Sequence, residues 1–234
     1  MNKIKVYLDG AERSQIVGMA KNPQLHGFTT NPSLMRKSGI TDYRAFCKEI
    51  LTQVEGKPIS FEVFADEFPA MQRQAEEIMT WGRNVYVKIP VTNAKGESSL
   101  PLIRELSARK VKMNVTAVFT LNQAWGVCQA LKGGAPSILS VFAGRIADTG
   151  RDPMPIMHAC AEMCRETDEN IELLWASTRE AYNFVQAEQS GCHIITAPLD
   201  MVKKAASFGK DLTEMSLDTV RTFKSDAESA GFTL

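Results

Sequence analysis

Residues 5–11 read KVYLDGA. Lys5–Asp9 is rich in strand-forming side chains, and the turn after this run separates two folds. An open, doubly wound sheet announces itself by a G-x-G-x-x-G turn after its first strand. Leu8-Asp9-Gly10-Ala11 has a single glycine and no such turn. Working outward, further β-rich runs occur at Gly27–Thr30, Ile59–Phe64, Val85–Val91, Met113–Phe119, Ile138–Ala143, Ile171–Ala176 and His193–Ala197, eight in all. Helical spacings separate them. Tyr43, Phe46, Cys47, Ile50, Leu51 and Val54 form one stripe. Leu121, Ala124, Trp125, Cys128 and Leu131 form another, and Met154, Met157, Cys160, Ala161 and Cys164 a third within Pro153–Arg165. Strand–helix alternation implies parallel strands joined by helical crossovers. Eight such units in 234 residues predict an α/β protein, a (β/α)8 TIM barrel forming a single domain over residues 1–234. Asp211–Gly231 lies after the eighth strand, with Leu217, Val220, Phe223 and Ala227 at helical spacing and Gly231 as a stop. It predicts an extra C-terminal helix, part of which is expected to pack on a neighbouring subunit.

Composition excludes several classes. The chain is 44% hydrophobic and 23% charged, as globular domains are. Lys plus Arg and Asp plus Glu are both 27. A neutral chain lacks the basic surplus that phosphate backbones or anionic membranes attract, so neither nucleic acid nor membrane is expected as a partner. No apolar run approaches the roughly 20 residues that span a bilayer. The start, MNKIKVYLDG, has no apolar core of signal-peptide length, and a cytoplasmic protein is expected. The five cysteines, Cys47, Cys128, Cys160, Cys164 and Cys192, are odd in number and scattered, which is not a disulfide framework. Cys160 and Cys164, with His158 nearby, would hold a metal only if further ligands converged; reduced thiols on a buried helix face are the simpler reading. No metal and no cofactor are expected.

Catalytic residues of a barrel sit at the C-terminal ends of its strands, and polar residues stand there in almost every run. Strand one ends in Asp9, strand two in Thr29-Thr30-Asn31, and strand three carries Ser60 and Glu62, two apart and so on one face. Strand four carries Lys88, strand five Asn114 and Thr116, and strand six Ser140, with Arg145 just beyond. Ser177 and Arg179 come after strand seven. A ring of such residues costs too much desolvation to be filler. Lys88 lies in VYVKIPV with no other charge. Burial disfavours its ammonium form, and a neutral amine attacks carbonyls to form a Schiff base. A lysine on an edge strand would instead snorkel to solvent. Asp9 and Glu62 are candidate proton carriers, or partners in structural ion pairs. Asn31-Pro32 also reads as a helix cap and first turn. Ser177, Thr178 and Arg179 are expected to open a helix and, with Arg145, to clamp a phosphate; an arginine there could equally serve only solvation.

Together these motifs resemble the transaldolase family, in its short transaldolase and fructose 6-phosphate aldolase subgroup. The matching blocks are LDGA at 8–11, GFTTNPSL at 27–34, SFEVFAD at 60–66, YVKIPVT at 86–92, NVTAVFT at 114–120, SVFAGRIADTG at 140–150 and WASTRE at 175–180. The resemblance implies a metal-free barrel enzyme in which Lys88 forms the Schiff base and Asp9 is the acid/base at the C4 hydroxyl. It implies that Glu62 and Thr116 hold the catalytic water. Asn31 and Asn114, with Thr29, Ser60 and Ser140 beside them, would bind the dihydroxyacetone hydroxyls, and Arg145, Ser177 and Arg179 the phosphate. The family's simple aldolases carry Gln where this chain has Glu62 and Tyr where it has Phe142; its transaldolases carry Glu and Phe. The implied activity is therefore transfer of dihydroxyacetone from sedoheptulose 7-phosphate or fructose 6-phosphate to an aldose phosphate. Aldol cleavage releasing free dihydroxyacetone, or a relative using another sugar phosphate, are the alternatives. Sugar phosphates are the implied partners, in a homo-oligomer (pentamer or decamer). The chain departs from the family pattern at Gly10, Lys21–Leu25 and Trp175.

Overall fold

A computed structural model describes residues 4–54 and 56–233. Its eight strands are β1 (Lys5–Asp9), β2 (Gly27–Thr29), β3 (Ile59–Glu62), β4 (Val85–Pro90), β5 (Met113–Val118), β6 (Ser137–Val141), β7 (Ile171–Trp175) and β8 (Ile194–Ala197). They pair in parallel in sequence order, and β8 returns to β1 to close the barrel. The crossovers carry α1 (Arg13–Ala20), α2 (Pro32–Lys37), α3 (Tyr43–Leu51), α4 (Phe68–Ile78), α5 (Leu100–Ala108), α6 (Leu121–Leu131), α7 (Ala143–Ala147), α8 (Met154–Thr167) and α9 (Asn183–Gln189). Then come α10 (Leu199–Ala205) and the C-terminal α11 (Leu212–Ala230). The fold is the TIM barrel expected from the alternation, with the added helix at its end.

Strand alternation sorts the side chains into two separate apolar clusters. Leu8, Phe28, Ile59, Phe61, Val87, Ile89, Met113, Val115, Leu139, Leu173, Trp175 and Ile195 point outward and pack with the helices in the main core. Tyr7, Ile138, Leu174, Ala176 and Ile194 point inward, with Tyr86 and Phe142 against them, and plug the barrel. Gly27 is required here: a Cβ at this position would lie 2.6 Å from the Tyr7 ring. The polar residues share the inward parity and stand above this plug.

Local sequence explains the helix starts. Asp42 caps α3 by accepting from the Ala45 amide at 2.9 Å, and the α3 stripe buries Phe46, Cys47 and Ile50. Burial of Phe46 and of Ile50 contributes about 1.5–3 kcal/mol each. Thr120 and Gln123 form a reciprocal capping box on α6. Asp211 caps α11, which ends at Gly231. That last helix buries none of its residues and leaves Leu212, Met215, Leu217, Val220 and Phe223 exposed.

The five cysteines are free and buried, and no group of three or more metal-ligating side chains occurs among the described residues. No described helix is long and apolar enough to cross a membrane. The strands end one or two residues before the β-rich runs do at β2 to β7, because the chain turns at the barrel mouth before the β-forming residues run out.

Candidate active site

The barrel register brings the candidates together. Glu62 stands beside Lys88, Lys88 beside Asn114, Asp9 beside Thr29, and Thr29 beside Ser60. Lys88 is 6% exposed. Its Nζ donates to the Thr30 carbonyl at 2.9 Å and lies 3.1 Å from Glu62 Oε2. The snorkelling alternative fails, since a closed barrel has no edge strand for β4 to occupy. Lys88 is thus a buried amine held in an ion pair with Glu62, the pairing the sequence left open for that carboxylate. The end of β3 is braced by Tyr43 of α3, whose hydroxyl donates to the Glu62 carbonyl at 2.7 Å.

Asp9 accepts from Thr29 Oγ1 at 2.8 Å. Burial pushes its carboxyl above the ordinary carboxylate range, while the Lys88 charge and the Thr29 hydrogen bond pull the other way. Thr29 Oγ1 also meets Thr196 Oγ1, from β8, at 2.5 Å. Across the barrel, Asn114 Nδ2 donates to Ser60 Oγ at 3.0 Å and Asn114 Oδ1 accepts from Ser140 Oγ at 2.6 Å. Strands β3, β5 and β6 thereby share one chain of buried hydrogen bonds. Thr116 Oγ1 is buried near this chain with no hydrogen-bond partner. Just after Thr116 the β5–β6 register slips between Val115 and Val118, and Ala117 takes φ 59°. Such backbone is uncommon for a residue with a Cβ and collects at functional sites.

Asn31 is the helix cap expected from the sequence. Its side-chain oxygen caps α2 by accepting from the Leu34 amide at 2.9 Å, leaving the amide NH2 as a donor at the mouth. Phe142 packs inward, 5.6 Å from Phe119 between ring centroids, with the Arg145 guanidinium 5.4 Å over its ring.

The helix start expected at Ser177–Arg179 needs correction. Ser177, Thr178 and Arg179 do not open a helix; α9 begins at Asn183. Ser177 takes φ 62°, which turns the chain out of helical geometry, and Asn183 Oδ1 gathers the amides of Arg179 and Glu180 at 2.8 and 3.2 Å. Arg179 is held by Asp148, Nε to Oδ1 at 3.0 Å and Nη2 to Oδ2 at 2.6 Å. The guanidinium keeps the Asp148 carboxyl below its usual range. Arg145 and Arg179 do share one rim, because Gly144 lets their loops touch. A Cβ on Gly144 would fall 1.6 Å from the Ser177 carbonyl oxygen.

Sequence reading missed Thr196, Tyr43 and Asp148. Thr196 sits in HIITAP, where a threonine reads as ordinary strand composition; inward parity on the eighth strand was the available signal. Asp148, within ADTG, carries no sign of its partner 31 residues on. Of the departures from pattern, Gly10 has open space around it and Trp175 is buried among outward core residues.

A family described as transaldolase/fructose-6-phosphate aldolase matches residues 6–234. A probable transaldolase of Dehalococcoides mccartyi is 35% identical over 195 residues, covering 83% of this chain and 87% of the relative. A probable transaldolase of Thermoanaerobacter sp. is 34% identical over 228 residues, covering 97% and 99%. Among solved structures the chain is similar to KGPDC from Streptococcus mutans, with a TM-score of 0.55, 12% identity, and 84% and 87% coverage. At that identity the likeness concerns the barrel alone.

Proposed function

The chain belongs to the transaldolase/fructose-6-phosphate aldolase family, and from that premise we propose that it is a class I transaldolase working through a Schiff base on Lys88. The observation that carries this is the buried Lys88 amine, paired with Glu62 and facing a ring of hydrogen-bonding groups.

In this reading Lys88 gives up its proton, with Glu62 at 3.1 Å placed to receive it, and the free amine attacks the C2 ketone of a ketose phosphate. Loss of the carbonyl oxygen as water leaves the imine. Glu62 and the unpartnered Thr116 hydroxyl are suited to hold that water. Asp9 accepts the C4 hydroxyl proton as the C3–C4 bond breaks and an aldose phosphate departs. Its raised carboxyl suits an acid/base that must both take and return a proton. The dihydroxyacetone enamine stays on Lys88, with Asn31, Asn114, Ser60 and Ser140 available to its hydroxyls, while Thr29 is engaged with Asp9 and Thr196. It then adds to a second aldose phosphate, and water hydrolyses the product imine. The apolar Phe142 ring offers the enamine no proton, which favours transfer over release. The donor is sedoheptulose 7-phosphate or fructose 6-phosphate, its phosphate held by Arg145, Ser177 and Arg179 once Arg179 exchanges Asp148 for substrate. No metal enters this scheme.

The same proposal places the protein in the cytoplasm as one barrel domain over residues 1–234. It assembles as a homo-oligomer, a pentamer or decamer, and the unpartnered apolar residues of α11 support that assembly. Borohydride reduction in the presence of fructose 6-phosphate, followed by peptide mass mapping, tests the chemistry. A reduced three-carbon adduct on Lys88 is expected; an adduct on another lysine, or none, would overturn it. Free dihydroxyacetone accumulating without acceptor at the full transfer rate would select simple aldol cleavage instead.

A further inference from the structure

We propose that Thr196 is a positioning residue for Asp9: its hydroxyl, acting through Thr29, locks the acid/base carboxylate in place. The inference rests on reading Asp9 as the group that serves the C4 hydroxyl.

Thr29 from β2 and Thr196 from β8 flank β1 on its two sides. Both are buried, and their hydroxyl oxygens are 2.5 Å apart. Thr29 has one hydroxyl proton, which it donates to Asp9 Oδ1 at 2.8 Å. The short contact with Thr196 is therefore made by the proton of Thr196. Thr29 then accepts one hydrogen bond and donates one, and its side chain is pinned between strands on both sides of Asp9. Without the Thr196 hydroxyl, Thr29 is free to adopt rotamers that no longer face the carboxylate. The groups acting on the Asp9 charge are Thr29 from β2 and Lys88 from β4. Losing the orientation of the first leaves the second to pull Asp9 toward the amine.

Thr196 has a second connection. Its carbonyl accepts from Thr178 Oγ1 at 2.8 Å, and Thr178 lies between Ser177 and Arg179. One residue of β8 thus joins the rim loop to the acid/base. Strand-forming ability does not account for a threonine here, since valine has the same shape and would suit a buried strand equally well.

The test uses Thr196→Val and Thr196→Ser in the full-length protein, with fructose 6-phosphate as donor and an aldose phosphate as acceptor. A parallel assay traps dihydroxyacetone on Lys88 with borohydride. Dihydroxyacetone has no C4, so its trapping bypasses the step assigned to Asp9. Thr196→Val should lower kcat about five- to tenfold, the scale of one lost hydrogen bond, with KM nearly unchanged. Dihydroxyacetone trapping should stay at the wild-type level, and Thr196→Ser should restore kcat to within about twofold. Wild-type turnover by Thr196→Val overturns the proposal, as does failure of a folded Thr196→Ser to recover rate. Trapping lost in step with turnover would assign Thr196 to the support of Lys88 and overturn it too. Absence of trapping at Lys88 in the wild type would instead remove the Schiff-base reading itself, and this inference with it.

Discussion

Replacing Lys88 by Met removes the positive charge from a pocket that holds two carboxylates. Nζ and Glu62 Oε2 are 3.1 Å apart, with side chains 8% and 17% exposed. Two unit charges at that separation interact by about 5 kcal/mol at an effective dielectric near 20. Removing one partner of a buried pair costs about 3–5 kcal/mol, because the remaining charge stays buried without compensation. For a chain of this size that corresponds to a fall in Tm of roughly 6–20 °C. The deficit should depend on pH. The Asp9 carboxyl is already raised by burial, and Lys88 is what opposes the rise; without Lys88 it rises further. A carboxyl whose folded pKa lies above its unfolded value weakens the fold at neutral pH, and the penalty fades as pH falls through the folded pKa. The gap between variant and wild type should therefore be widest near pH 7 and close toward the ordinary value of 3.8. Lys88→Met combined with Glu62→Gln should recover more than half of the loss, since it removes the stranded charge. The assay is thermal and urea unfolding followed by circular dichroism at several pH values. A Lys88→Met protein with wild-type stability at pH 7, or with a deficit that does not change with pH, would refute the reasoning that Lys88 is the counter-ion of this pocket.

Arg179→Ala and Arg145→Ala should each raise KM for a phosphorylated donor by about tenfold, the lower end for a charge-assisted contact because the Arg179 side chain is about half exposed. Trapping of dihydroxyacetone should be little affected; equal losses in both assays would make the arginines structural. Asp148→Asn should lower that KM a few-fold by releasing Arg179, and a rise would mean that Asp148 orients the arginine for substrate. Gly144→Ala should cost about 1–3 kcal/mol in unfolding measurements, the scale of forced overpacking, and should raise KM for phosphorylated donors as the Ser177 loop is pushed away. Phe142→Tyr and Glu62→Gln should each increase release of free dihydroxyacetone from fructose 6-phosphate in the absence of acceptor. An unchanged release rate in both would separate these two positions from the choice between transfer and cleavage.

The barrel was legible in the sequence because its causes are local. Alternation of β-rich runs with stripes such as that of Tyr43, Phe46, Cys47 and Ile50 dictates strand, crossover and parallel pairing, and eight units leave closure as the economical solution. The polar ring was legible for a related reason. Residues two apart on a strand share a face, so Ser60 with Glu62 and Asn114 with Thr116 could be assigned to one side before any tertiary contact was known. The lysine in VYVKIPV stood out because a charge amid apolar strand residues is costly wherever that strand lies.

What tertiary structure alone decided concerns distance between segments far apart in the chain. That Lys88 is neutralised by Glu62, that Thr196 reaches Thr29 across β1, and that Asp148 occupies Arg179 all depend on barrel register and on loops pressed together at Gly144. Hydrogen bonds and ion pairs require separations near 3 Å, and such precision arises from the closed ladder and the packed plug, not from any neighbouring residue. The misread helix start at Ser177–Arg179 has the same origin. Those residues form a loop because Gly144 admits the Ser177 carbonyl and Asn183 collects their amides, contacts that short-range spacing does not encode.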